Sequence, residues 1–218
     1  MSDNIVGIVD EPNPRGNEDT LDIARHASAL TSFIKKSTTP MTIGIQGEWG
    51  SGKTSLLNSI YHDLEQVGVY KQIWINSWEH ALLTTPEESL LKIVNEIIHE
   101  MLQTDEQMDR KNNIKNIAST VFKGALRIGA TAVAGKEAVD VTEELMGDNV
   151  NGIKQLREQL NDLAYEIKNR NTNPIEKIII YVDDLDRIEP KDAVQVLELL
   201  KNIFSVPNCV FILAIDYQ

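Results

Sequence analysis

The octapeptide Gly47-Glu48-Trp49-Gly50-Ser51-Gly52-Lys53-Thr54 constrains this chain more than any other segment. It is a G-x-x-x-x-G-K-T sequence directly behind the apolar run Met41-Thr42-Ile43-Gly44-Ile45. Directly after it, Leu56-Leu57-Asn58-Ser59-Ile60-Tyr61 has helical spacing. Strand, glycine loop and helix, in that order, let backbone N–H groups turn inward around phosphate oxygens. The glycines permit the backbone angles, and the helix points the positive end of its dipole at the same anion. Lys53 supplies a mobile point charge for the β- and γ-phosphates, and the Thr54 hydroxyl is placed to ligate Mg2+. A glycine turn before a surface helix is the alternative for the octapeptide alone; the flanking strand and helix disfavour it.

The rest of the chain repeats the alternation of strand and helix. Residues 1–17, with Pro12, Pro14 and Gly16, read as an irregular arm. Residues 18–36 carry Leu21, Ile23, Ala24, Ala27, Leu30, Phe33 and Ile34 at helical spacing, stopped by Ser37-Thr38-Thr39-Pro40. A strand is expected over 70–78. Thr84-Thr85-Pro86-Glu87-Glu88 is then a helix start: a capping threonine, proline at the first helical position and acids in the first turn. Another helix is expected over 151–169, a wholly apolar strand over 177–182, a helix opening at Pro190, and a last strand from Cys209 to Ile215. Apolar strands that alternate with helices imply an α/β three-layer sandwich with a mainly parallel sheet.

Residues 104–150 differ in character. Apolar positions 114, 117, 121, 125, 128 and 132 form a narrow helical seam, and Arg110, Lys111, Lys115, Lys123, Arg127 and Lys136 cluster around it. Gly124, Gly129 and Gly135 weaken that helix, and Gly147-Asp148-Asn149 is expected to break the acidic stretch that follows.

Composition narrows the partners. The net charge of −12 over 218 residues argues against non-specific nucleic-acid binding by the whole surface. The single cysteine, Cys209, excludes an internal disulfide framework and lies in an apolar run. The four histidines lack metal-ligand spacing among themselves. The N-terminus does not resemble a signal peptide, and no stretch reaches the roughly 20 apolar residues that span a bilayer. The expected location is cytoplasmic.

A second segment completes the expected site. Ile178-Ile179-Ile180-Tyr181-Val182-Asp183-Asp184 is an apolar strand ending in carboxylates. Ligands of a parallel sheet bind at the carboxyl ends of its strands, so the pair falls on the same edge as the glycine loop. Asp183 would sit near Mg2+, through a coordinated water, and Asp184 could polarise an attacking water. The last strand ends at Asp216, either a strand-end turn or a polar group that reports the γ-phosphate. Trp49 cannot reach phosphate through its ring and is expected to pack, beside the nucleotide or against Trp78.

With these residues placed, the chain resembles the KAP family of P-loop NTPases, relatives of the signalling STAND ATPases. The glycine loop with its Trp49, the strand end Ile75-Asn76-Ser77-Trp78, the run Asp183-Asp184-Leu185-Asp186-Arg187 and the segment Ala214-Ile215-Asp216 carry the resemblance. It covers roughly residues 18–103 and 151–218, with 104–150 as an insertion between the two halves of the site. It implies ATP and Mg2+ as ligands. The nucleotide would be held by Gly47, Glu48, Trp49, Gly50, Ser51, Gly52, Lys53, Thr54, Ser55 and Asp216, the metal by Thr54 and Asp183. Catalysis would rest on Lys53, Asp183 and Asp184.

The family commonly carries transmembrane helices at the insertion. Here Lys115, Lys123 and Arg127 interrupt it, so it reads as an amphipathic helix. Three fates stay open: a solvated hairpin, pairing with another protein helix, or attachment over 110–136 to the inner face of a membrane. The family also continues beyond the equivalent of Gln218 with a helical lid. Either the chain is a fragment, or a second copy or a larger partner is expected to supply such elements. Arg187 resembles the family's arginine and could equally pair with Asp186. The resemblance implies hydrolysis driving a conformational or assembly cycle, in prokaryotic defence or signalling. An ATP-binding switch with negligible turnover is the alternative, and a small-molecule kinase is disfavoured by the lack of an arginine-rich lid.

Overall fold

The computed structural model describes residues 22–77, 79, 86–103, 111–118, 120, 139–169, 174–185, 201 and 205–215. The arm at 1–17, Trp78, Asp186, Arg187, most of the expected helix after Pro190, and Asp216 lie outside the described residues. The elements in order are α1 (Ile23–Lys36), β1 (Met41–Gln46), α2 (Lys53–Glu65), β2 (Tyr70–Asn76), α3 (Pro86–Gln103), α4 (Val139–Lys168), β3 (Lys177–Asp183) and β4 (Cys209–Ile215). Proline does open α3, as its fixed φ and missing N–H suit a first helical position.

The strands form one sheet in the order β1-β4-β3-β2, and every pairing is parallel. The α/β sandwich expected from the apolar strands is therefore the observed fold. β3 is buried at every position, Lys177 and Asp183 included, because it lies inside the sheet with helices on both faces. Its side chains alternate between two cores. Ile178, Ile180 and Val182 pack with α3 and α4 residues such as Ile97, Met101, Leu156 and Leu163. Ile179 and Tyr181 face α1 and α2, among Ala27, Ile34, Leu57, Ile60 and Leu64.

The edge of the sheet opposite the expected site is closed by a lysine. Lys177, only 7 % exposed, donates from Nζ to the carbonyls of Ile34 (2.6 Å), Lys35 (2.9 Å) and Ser37 (2.9 Å). These acceptors belong to the end of α1 and its C-cap, and Ile34 O also accepts from Ser37 Oγ at 2.9 Å, so one ammonium ties that terminus to the root of β3. Burial pushes the Lys177 pKa below its ordinary value; Lys168 adds to the shift and Glu176 opposes it. Asn208 reinforces the corner: its N–H donates to Thr39 Oγ1 at 2.9 Å, and its side-chain oxygen accepts from Lys168 Nζ at 3.1 Å.

One expectation is corrected. Gly147-Asp148-Asn149 does not break the helix: α4 runs through it and over position 150 without interruption. An interior glycine costs only about 1 kcal/mol, and the helical turns on either side outweigh it. The seam in the insertion is also partly used within the domain. Residues 111–118 are helical, Ile114 and Ala118 are buried with Leu156 and Leu160, and Asn113 Nδ2 donates to Gln159 Oε1 at 3.4 Å. Among the described residues no helix is long and apolar enough to cross a membrane.

Candidate nucleotide site

The glycine loop leaves β1 at Gln46 and turns back into α2 at Lys53. Its glycines meet two different demands. Gly50 (φ 76°) and Gly52 (φ 86°) adopt left-handed backbone angles that side chains with a Cβ resist. Gly47 is required by space instead, because a Cβ there would overlap Ser51 Oγ. The loop is bridged by Ser51 N–H to Glu48 O (3.1 Å), and its root is tied to β4 by Gly47 N–H to Ile215 O (3.3 Å).

The helix that follows is prepared for an anion. Its N-cap is Gly52, which provides no side-chain bond to the first turn, and that turn contains no acid. The amide donors and the positive end of the dipole are thus not offset by a carboxylate of the helix itself. Lys53 folds back over the loop, its Nζ donating to Gly47 O at 2.8 Å and Glu48 O at 3.2 Å. Thr54 and Ser55 are half-buried in the same turn, while Glu48 and Ser51 are exposed. Trp49 is 61 % exposed, and Trp78, one of its two expected packing partners, lies outside the described residues.

The acid pair lies on the same edge, two strands away. β4 separates β1 from β3. Gln46 pairs with Ile215 and Val182 with Leu213, so Asp183, next after Val182, comes level with the loop's root. Neighbouring strands lie about 4.8 Å apart, which puts the ends of β1 and β3 about 10 Å apart. That gap suits a metal–phosphate group reached from the loop on one side and from a carboxylate on the other. Asp183 is 4 % exposed, and its Oδ1 accepts the Asp184 N–H at 2.9 Å. Asp184 stands at φ 58°, a left-handed angle uncommon for a residue with a Cβ. The chain therefore leaves the strand immediately after Asp183, and Asp184 escapes the in–out alternation of β3.

An aromatic cluster lies on the Asp183 face of the sheet, two residues back along the strands. Trp74 stacks on Tyr181 with ring centroids 5.2 Å apart, and Tyr61 of α2 meets both rings. Tyr181 OH donates to Gln72 Oε1 at 2.6 Å, and Gln72 Nε2 donates to Tyr61 O at 2.8 Å. Burial raises the Tyr181 pKa far above the normal phenol range, so the hydroxyl stays a donor. Trp74 and Tyr181 are register partners, and the next pair along that face is Asn76 and Asp183. Sequence reasoning missed both the cluster and Asn76. The available signal was a polar residue ending an apolar strand beside the acid-bearing strand.

The donor chemistry fits a magnesium nucleotide. A hydroxyl and a carboxylate are hard oxygen donors of the kind Mg2+ takes alongside waters and phosphate oxygens. A side chain at Gly47 would crowd Ser51 within the loop that the phosphates would enter. Asp216, the remaining expected contact, is outside the described residues.

Parallel sheet, glycine loop on one strand end and buried acid two strands away define a P-loop NTPase domain. The chain matches the KAP family P-loop domain over residues 23–218 and belongs to that family. It is also similar to the phage T7 exclusion protein of Escherichia coli (strain K12), at 26% identity over 192 residues. The match covers 81% of this chain and 26% of that protein, so the chain spans about a quarter of its relative's length.

Proposed function

We propose that this domain binds ATP with Mg2+ and hydrolyses it, coupling the nucleotide state to a conformational or assembly step. The observation that carries the reading is the meeting, on one sheet edge, of a left-handed glycine loop and the buried Asp183. The loop amides and Lys53 would hold the phosphates, Lys53 exchanging its bonds to Gly47 O and Glu48 O for phosphate oxygens. Thr54 and Asp183 would hold Mg2+, which when bound neutralises charge on the β- and γ-phosphates. Asp184, turned out of the strand by its left-handed angle, is the residue we assign to take a proton from the attacking water.

The test is ATP turnover by the purified chain beside Lys53→Ala and Asp184→Asn. Loss of binding in the first and loss of turnover with retained binding in the second are expected. Turnover that Lys53→Ala leaves unchanged sinks the site assignment. Tight binding with no phosphate release, unaffected by Asp184→Asn, would make the domain a nucleotide switch instead. A role in excluding phage is supported by its similarity to a phage exclusion protein. Comparing phage plating on cells that carry the wild-type gene or its Lys53→Ala form tests that role.

A further inference from the structure

The end of β2 carries a polar pair that the proposed mechanism leaves unused. Asn76 is the last residue of β2 and the register partner of Asp183. Both follow the Trp74–Tyr181 pair by two residues, so in a parallel sheet their side chains stand on the same face. That is the face on which α2 packs, with Thr54 in its first turn. Asn76 Nδ2 also donates to Glu79 Oε1 at 3.2 Å, although Glu79 itself is exposed. A half-buried carboxamide is thus fixed between an exposed acid and the acid assigned to the metal.

We propose that Asn76 is a positioning residue for Asp183, and that its bond to Glu79 sets the direction in which the carboxamide faces the metal side of the site. This rests on the Mg-nucleotide reading above. A carboxamide offers two N–H donors and one carbonyl acceptor. With one donor held by Glu79, the remaining polar atoms of the carboxamide are left for the site, and the Asn76 backbone stands about one strand spacing, 4.8 Å, from that of its register partner Asp183. From there it can orient the carboxylate or a water bound to it. Partners of this kind around metal ligands contribute about 10- to 100-fold to metal affinity.

The test measures Mg2+ dependence, not turnover. Thermal unfolding of the chain at fixed ATP is followed as Mg2+ is raised, for wild type, Asn76→Ala, Glu79→Ala and Lys53→Ala. Asn76→Ala is expected to raise the half-saturating Mg2+ at least about 10-fold while ATP binding without Mg2+ stays within about 2-fold. Glu79→Ala should move it in the same direction by about 3-fold, since the amide remains but loses its anchor. Because Glu79 is exposed, that variant folds and keeps the test decisive even if Asn76→Ala does not. A wild-type Mg2+ midpoint in both variants, beside a normal ATP shift in the wild-type chain, overturns the positioning role alone. No ATP shift in wild type, or the same shift in Lys53→Ala, overturns the nucleotide reading and this proposal with it.

Discussion

Gly47 and Gly50 should fail for different reasons when substituted, and the difference is measurable. At Gly50 a new Cβ would have nothing within 4 Å, but φ is 76°. The cost is backbone strain, about 1–2 kcal/mol for a residue with a Cβ in the left-handed region. If the loop relaxes to escape it, ATP must restore the angle, which weakens binding by about 5- to 30-fold. Asparagine tolerates that region, so Gly50→Asn should bind more tightly than Gly50→Ala. At Gly47 the order should reverse. A Cβ there overlaps Ser51 Oγ and stands 3.2 Å from Ser51 Cβ, and a larger side chain makes this worse. Overpacking of this kind costs about 1–3 kcal/mol. Ser51→Ala removes the nearest atom and leaves the 3.2 Å contact, so it should recover about 1 kcal/mol of the Gly47→Ala loss and no more. The assay is displacement of a fluorescent nucleotide by ATP, run as a double-mutant cycle over Gly47→Ala and Ser51→Ala. An additive cycle, or a Gly50→Asn variant no better than Gly50→Ala, would refute the assignment of space to one glycine and backbone angle to the other.

Three further outcomes follow from packing and charge. Lys177→Met should lower stability in urea by about 2–4 kcal/mol, because the carbonyls of Lys35 and Ser37 lose a buried ammonium donor and Ile34 keeps only its bond from Ser37 Oγ, without changing ATP affinity in the folded protein. Ser77→Ala should be neutral or stabilising by up to about 1 kcal/mol, since the Ser77 hydroxyl is buried and has no hydrogen-bond partner among the described residues; a loss above that size would show a partner the fold requires. Burial pushes the Cys209 thiol up from 9.0 to about 12, so a charged disulfide reagent at pH 8 should label it only after unfolding. The unfolded chain releases that proton first, so Cys209 contributes stability that is present below pH 9.0 and lost as pH rises toward 12, a fall readable in alkaline unfolding curves.

The sheet was legible because its strands carry their burial in their composition. Ile178 to Val182 is apolar without alternation, which only a strand covered on both faces tolerates, and the structure buries it so. The glycine loop was legible because its conformational demands need particular residues at fixed spacing. The helix through Gly147 was not, because propensity there is a matter of about 1 kcal/mol, and neighbouring turns decide the outcome. Trp49, expected to pack beside the nucleotide or against Trp78, is 61 % exposed, and Trp78 lies outside the described residues. Neither the Lys177 contact with the end of α1 nor the Asn76–Asp183 pairing was visible, since both join segments far apart in sequence whose juxtaposition depends on strand order.

Strand order also gives the site its chemical character. Had β3 lain beside β1, Asp183 would be about 5 Å from the loop's strand, close enough to pair with Lys53 directly. A carboxylate there would neutralise the charge that the phosphates need, and the Lys53 ammonium would be held by Asp183 instead of by the carbonyls of Gly47 and Glu48. Insertion of β4 roughly doubles the gap while keeping both ends on one edge. The cation and the acid can then act on opposite sides of one ligand without cancelling each other. On this account β4 is a spacer as much as a core strand, and its apolar sequence, Cys209 to Ile215, is what lets it fill that place without adding a charge within the strand itself.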